Sequence, residues 1–173
     1  MLDLGGTRGA WENGPVRIAR IDLLNSDARL EGTMVGDACA LPFADGSYDI
    51  VFSNSTLEHV GGWERQEAFA REARRVGRAL WIQTPARESW FEPHYLAPFV
   101  HWLPKRWRRW AGRWLTPRGW LDADAIGWIE SHTRLLTRAE METLFRDCEI
   151  LVERFLGWPK SYVASRRVEA VRE

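Results

Sequence analysis

Two near-continuous apolar runs, Ile50-Val51-Phe52 and Ala79-Leu80-Trp81-Ile82, bracket a stretch in which Ala68, Phe69, Ala73 and Val76 recur at helical spacing. Short apolar runs without polar alternation are the pattern of strands buried on both faces of a sheet. A strand, a helix and a second strand in that order predict a βαβ unit, and so an α/β chain with a parallel sheet. Strands are expected at Met1–Leu4, Arg17–Leu23, Gly32–Gly36, Tyr48–Ser53 and Arg78–Gln83, with a helix over Trp63–Val76. Beyond Pro85 the alternation stops, and Glu88–Glu130 is rich in Pro, Trp and Arg. A helix resumes at Thr137–Cys148, where Thr137 and Glu140 have the spacing of a capping box. Two last strands, Glu149–Leu156 and Lys160–Ser165, flank a Gly157-Trp158-Pro159 turn and predict an antiparallel pair at a sheet edge.

The 173 residues divide on this pattern into 1–85, 86–136 and 137–173, read as parts of one domain. Lys+Arg and Asp+Glu both total 24, a balance that disfavours a nucleic-acid partner. Eleven Trp are present, and only Lys105 and Lys160 among the cations are lysine. Cys39 and Cys148 lie far apart with no zinc-type spacing, which predicts a reduced, cytoplasmic setting. No run approaches the ~20 apolar residues of a membrane span, and the first residues lack the pattern of a signal peptide.

Four signals carry the chemistry. Leu2-Asp3-Leu4-Gly5-Gly6-Thr7-Arg8-Gly9 reads as a strand entering a turn where missing Cβ atoms let a ligand approach the backbone. Thr7 stands where the dinucleotide fingerprint needs its second glycine, which disfavours a nicotinamide-dependent oxidoreductase. Asp22 is expected at the end of the second strand, where a carboxylate accepts from a ribose diol. Gly36-Asp37-Ala38 leads into Leu41-Pro42-Phe43-Ala44-Asp45-Gly46-Ser47-Tyr48-Asp49, and Ser53-Asn54-Ser55-Thr56-Leu57-Glu58-His59-Val60 follows the fourth strand.

Over about residues 2–85 these blocks together resemble the class I S-adenosylmethionine-dependent methyltransferases, specifically the type 11 group. The resemblance implies a Rossmann-like, doubly wound, mostly parallel sheet with an antiparallel C-terminal edge strand. It implies S-adenosyl-L-methionine as cofactor, bound at the carboxyl ends of the strands. Asp3, Gly5, Gly6, Thr7 and Gly9 would line the methionine and ribose portion. Asp22 would hold the ribose hydroxyls, Leu23 would pack on the adenine, and Asp37, with Ala38 beside it, would accept from the adenine amino group. Ser53 and Asn54 would stand near the reactive methyl, and Glu58 and His59 at the mouth of the site. The family's loop carries three alternating glycines; here Gly5 and Gly9 keep two, and Thr7 takes the middle position. Family members also place a helix before the first strand. Met1 stands within that strand, so a truncated or wrongly started chain lacking the helix is expected.

A sulfonium already activates its methyl group, so the protein's task in such a reaction is to align an acceptor for in-line displacement. A base is required only where the acceptor must lose a proton. His59 and then His94 are the candidates for a base or for acceptor contact; for His59, a helix-start residue touching only backbone is the competing reading. Glu92, His94 and Tyr95 cluster after the fifth strand, and an ordinary loop network is preferred there to a metal, so no metal ligand is assigned. On a helix, Trp107, Trp110 and Trp114 share one face, flanked by Lys105, Arg106, Arg108, Arg109 and Arg113. Such a helix suits peripheral contact with an anionic membrane. Packing of the Trp face onto the domain as a lid is preferred, because a chain this small must bury most of its Trp. The reading is thus a methyltransferase for a small-molecule or lipid-like acceptor; the alternative is a catalytically degenerate methyltransferase fold serving as a peripheral membrane or partner-binding module. The residues carry no readable sign of oligomeric state.

Overall fold

The computed structural model describes residues 1–12 and 18–167. Among the described residues, nine strands run in chain order as β1 (Leu2–Leu4), β2 (Asp22–Asn25), β3 (Met34–Val35), β4 (Tyr48–Asn54), β5 (Gly77–Pro85), the short pair β6 (Phe91–Glu92) and β7 (Ala97–Pro98), then β8 (Glu149–Phe155) and β9 (Trp158–Arg166). The helices are α1 (Arg8–Glu12), α2 (Trp63–Val76), α3 (Lys105–Leu115), α4 (Pro117–Leu121), α5 (Ala123–His132) and α6 (Arg138–Leu144). Seven strands form one sheet in the order β3-β2-β1-β4-β5-β9-β8. The five from β3 to β5 are parallel, and β9 runs antiparallel to both β5 and β8. The order reverses direction between β1 and β4, the switch point where open α/β sheets bind ligands at their carboxyl ends.

α2 lies on this sheet through Phe69, Ala70, Ala73 and Val76, all at most 1% exposed. Burying a side chain such as Phe69 contributes roughly 1.5–3 kcal/mol. α6 adds Met141 and Leu144 to the same core, and its first turn is closed by the expected capping box between Thr137 and Glu140. Leu156 and Gly157, at φ +50° and +82°, make the turn between β8 and β9, so β9 begins at Trp158 inside the expected turn.

The structure corrects several expectations. β4 and β5 are not buried on both faces: Ile50 and Trp81 are 41% and 43% exposed, because α2 covers one face and the other is partly open among the described residues. The third strand shrinks to Met34–Val35. The second begins at Asp22, not Arg17, which lies outside the described residues.

Residues 88–132 fold into a cap of β6, β7 and α3–α5 around Tyr95, Ala97, Val100, Ile126 and Ile129. The preferred packing of the Trp face is overturned, for Trp107, Trp110 and Trp114 are 52%, 52% and 58% exposed. α3 packs through its small residues instead. A Cβ at Gly112 would stand 2.8 Å from the Tyr95 ring, and one at Gly119 would stand 2.2 Å from the Gly112 carbonyl oxygen. That close approach leaves no room for indoles, so the helix turns them outward. Arg108 is drawn in by Glu130, whose carboxylate accepts from its Nε at 2.6 Å and its Nη2 at 2.9 Å.

Candidate functional site

The chain leaves β1 through two glycines that close packing requires. Gly5 has φ +87°, and a Cβ there would lie 2.1 Å from Thr56 Oγ1; at Gly6 it would lie 1.8 Å from Asp3 Oδ2. Gly5 N–H donates to Leu24 O at 2.8 Å, and Asn25 Nδ2 donates to the carbonyls of Gly5 and Gly6 at 3.0 and 3.3 Å. The turn is therefore tied to the ends of β2 and β4. Gly9, in α1, would meet nothing within 4 Å if it carried a Cβ, and Thr7 is exposed. Asp3 is buried and accepts from Trp11 Nε1 at 2.7 Å; burial raises its carboxyl pKa, which the Trp11 bond partly offsets.

Above the turn lies a cleft of about 390 Å³ lined by Gly5, Asn25, Asp37, Thr56, His59 and Arg65, among others. Ala38 is also in its wall, with Leu24 and Ser26. Asp37 pairs with Arg65 through two bonds of 2.9 Å, and its Oδ1 accepts from Cys39 N–H at 2.9 Å. The Arg65 guanidinium holds the Asp37 carboxyl below the ordinary range.

The structure thus brings Gly5, Asp37, Ala38 and His59 together, and adds Asn25, Thr56 and Arg65, which the sequence reading missed. Asp22 and Leu23 stand elsewhere. Parallel register pairs Leu2 with Asp22 and Leu4 with Leu24, so Asp22 opens β2 at the amino end of the sheet. There its carboxylate accepts from Tyr48 OH at 3.1 Å, in a hollow shared with Met1 and Arg20. Leu23 faces a different hollow, with Arg8 and Trp11. The residue that ends β2 is Asn25, and the signal for it was the turn-forming run Asn25-Ser26-Asp27. Ser53 is fully buried and donates to Leu4 O at 3.0 Å, an oxygen that also accepts from Thr56 Oγ1 at 3.0 Å. Ser53 therefore clamps β4 to β1 rather than facing a ligand. Asn54 is exposed at the end of β4, outside the lining of the cleft.

Glu58 and His59 sit in a 3₁₀ turn, Leu57–His59, at the rim of the cleft. His94 reaches them from the cap, with its Nε2 3.1 Å from His59 Nε2. Its Nδ1 meets Glu92 Oε1 at 2.5 Å, while Glu92 Oε2 accepts from Tyr95 N–H at 2.9 Å. His59 Nδ1 faces His132 O at 3.3 Å. Burial and the neighbouring His94 lower the His59 pKa; for His94, burial opposes the charge but the Glu92 bond prevails and raises it. Glu58 is completely buried, which raises its pKa; one oxygen accepts from Thr84 Oγ1 at 2.9 Å. Beyond the histidines, a second cavity of about 280 Å³ is lined by Arg87, Glu92, Tyr95, Arg108, Glu130 and Arg134, among others.

A five-stranded parallel array with an antiparallel return, and a glycine turn and cleft at its switch point, define a class I methyltransferase fold. A family model described as a methyltransferase domain matches residues 14–79. The matched model and the fold imply S-adenosyl-L-methionine as the cofactor. Among solved structures, the chain is similar to an S-adenosylmethionine-dependent methyltransferase from Thermotoga maritima, with 16% identity, TM-score 0.54, and 96% of this chain and 81% of that one covered. A Haloferax volcanii protein provisionally assigned as a methyltransferase, in complex with a methyltransferase activator, matches at 14% identity and TM-score 0.53, over 95% of this chain and 80% of that one. A Rhodobacter sphaeroides protein provisionally assigned as a zinc-dependent alcohol dehydrogenase matches at 12% identity and TM-score 0.61, over 95% and 82%. At these identities the likeness is one of fold. Among the described residues, no helix is long and apolar enough to cross a membrane.

Proposed function

We propose that the chain binds S-adenosyl-L-methionine in the 390 Å³ cleft and directs its methyl group to a small-molecule or lipid-like acceptor on the cap side. The observation that supports this best is the turn at Gly5 and Gly6, where the backbone is stripped of side chains directly below a cleft that offers a carboxylate at Asp37. The residues fit the group. Asp37, whose carboxylate also pairs with Arg65, would accept from an adenine amino group, Leu24 and Val35 would supply apolar wall, and the Gly5 backbone would let the ligand approach closely. Asn25 and Ser26 stand where a ribose-binding acid was expected. When bound, the cofactor supplies a methyl already activated by its sulfonium. The protein's share is alignment and exclusion of water, which together can lower a barrier by several kcal/mol. His59 walls the cleft, Glu92 walls the second cavity, and His94 joins the two, so the imidazole pair divides the cofactor side from the acceptor side.

Calorimetric titration should give one S-adenosyl-L-methionine per chain, and labelled cofactor should yield a methylated product from a host extract. Absence of binding at millimolar cofactor would sink the enzyme reading in favour of a degenerate fold.

A second reading, peripheral membrane contact, gains support from the outward Trp face of α3, which has Lys105, Arg106, Arg109 and Arg113 around it and no acidic residue along the helix. Anionic vesicles at low salt should sediment the protein, neutral vesicles should not, and Trp110→Ala with Trp114→Ala should weaken sedimentation several-fold. Equal sedimentation with neutral vesicles would remove the electrostatic part of this reading.

A further inference from the structure

The geometry points to a divalent transition-metal site of the zinc class, formed by Glu58 Oε1, His59 Nε2 and His94 Nε2 at the junction of the cleft and the cap. One ligand atom from each of the three residues lies within 4.8 Å of the other two, and His59 Nε2 stands 3.1 Å from His94 Nε2 and 3.9 Å from Glu58 Oε1. They come from the turn after β4 and from the loop after β6, so the fold rather than the local sequence assembles them.

The tautomers carry the argument. His94 Nδ1 faces the Glu92 carboxylate at 2.5 Å, and His59 Nδ1 faces the His132 carbonyl at 3.3 Å. Both of these partners only accept, and Thr133 Oγ1, 3.4 Å from His59 Nδ1, is a hydroxyl that can accept as well, so each Nδ1 is placed to carry the ring proton. Each Nε2 then presents a lone pair, and the two point at one another across 3.1 Å. Two lone pairs at that distance repel unless a cation lies between or beside them. Two nitrogens on one tetrahedral zinc, each at ~2.0–2.1 Å, stand about 3.3 Å apart, close to the spacing here. A carboxylate and a backbone carbonyl behind the ligating imidazoles are also the usual outer partners that fix ring orientation at metal centres.

Glu58 supplies the independent observation. Its side chain is 0% exposed, and Oε1 has no hydrogen-bond partner although Oε2 is satisfied by Thr84. Oε1 lies 3.9 Å from His59 Nε2. A proton shared between the two imidazoles would relieve their lone pairs and still leave Oε1 without a donor. A metal ion satisfies all three atoms at once. Two imidazoles and a carboxylate suit zinc and its first-row neighbours better than magnesium or calcium, which prefer oxygen. With three protein ligands, a fourth position remains for water or another ligand. This proposal departs from the expectation that no metal ligand is assigned. The Glu92-His94-Tyr95 loop network is real, and it serves to orient one ligand.

Zinc titrated into metal-stripped full-length protein should bind at one equivalent and raise the thermal midpoint. X-ray absorption at the zinc edge should show two imidazoles at ~2.0–2.1 Å. His59→Ala and His94→Ala should each weaken binding at least 100-fold, and Glu92→Gln 10–100-fold through the orientation of His94. His132→Ala, which removes an exposed imidazole and keeps the carbonyl, should leave affinity unchanged. Circular dichroism checks that each variant folds; if the histidine variants do not, the absorption spectrum of the unaltered protein decides alone. No saturable zinc binding, a spectrum without imidazole, or equal loss in His132→Ala would overturn the site. The test is independent of methyl transfer: binding of zinc without S-adenosyl-L-methionine would sink the enzyme reading only, and the reverse would sink this one.

Discussion

Gly6→Ala will destabilise the protein by about 3 kcal/mol, the upper part of the range for forcing extra volume into a packed site. The added Cβ would fall 1.8 Å from Asp3 Oδ2, inside any allowed contact. Asp3 cannot swing aside freely, because it is 3% exposed and held by Trp11 Nε1. For a chain of this size the loss corresponds to a thermal midpoint lower by roughly 6–12 °C. Cofactor binding should fall with it, since the same turn forms the floor of the cleft. The paired variant Asp3→Ala/Gly6→Ala separates the clash from any other cause. Removal of the carboxylate opens the space the methyl needs, so the pair should be less damaged than the sum of the single changes. A Gly6→Ala protein that melts like its parent would show that the turn is not built this way.

Asp37→Ala should weaken S-adenosyl-L-methionine binding by about 1–3 kcal/mol, the order for a lost hydrogen bond to a charged acceptor. That is roughly 5–150-fold in the dissociation constant. Stability should change little, because the ion pair with Arg65 is half exposed on both sides and such pairs contribute about 0–1 kcal/mol. Asp22→Ala is the informative companion. At the amino end of β2, bonded to Tyr48, it should bind cofactor as the parent does. Calorimetry of the two variants tests the register of the sheet as well as the site. If Asp22→Ala loses affinity and Asp37→Ala does not, β2 is displaced by several residues from the alignment of Leu24 with Leu4.

That register is also the point where sequence reasoning ran out. The apolar runs around Val51 and Leu80, the helix through Phe69 and Ala73, and the cap at Thr137 were legible because each depends on local periodicity or a short-range hydrogen bond. Asp37 and the glycines were legible because their chemistry is tied to a turn. Where β2 begins depends instead on which residue lies beside Leu4, a long-range pairing with no local mark. The outward Trp face fails differently. Composition argued for burial, and the decision rested with Gly112 and Gly119, whose small size sets how near α3 comes to its neighbours. His59 and His94 were each visible as single residues, but their encounter needed the cap to fold back over the turn after β4.

The strands differ greatly in length across the sheet. β1, β2 and β3 have three, four and two residues, whereas β4, β5, β8 and β9 have seven, nine, seven and nine. The cleft wall built on β1, β2 and β3 therefore rests on the part of the ladder with the fewest backbone bonds, and the side toward β5 and β9 on the part with the most. Local opening in such a fold begins where bonds are scarce. A ligand seated across β1, β2 and β3 would act as the missing rung, so amide protons there should slow their exchange on loading while those of β5 and β9 keep the protection they already have. The affinity of the cleft is in part the free energy of setting its own thin wall.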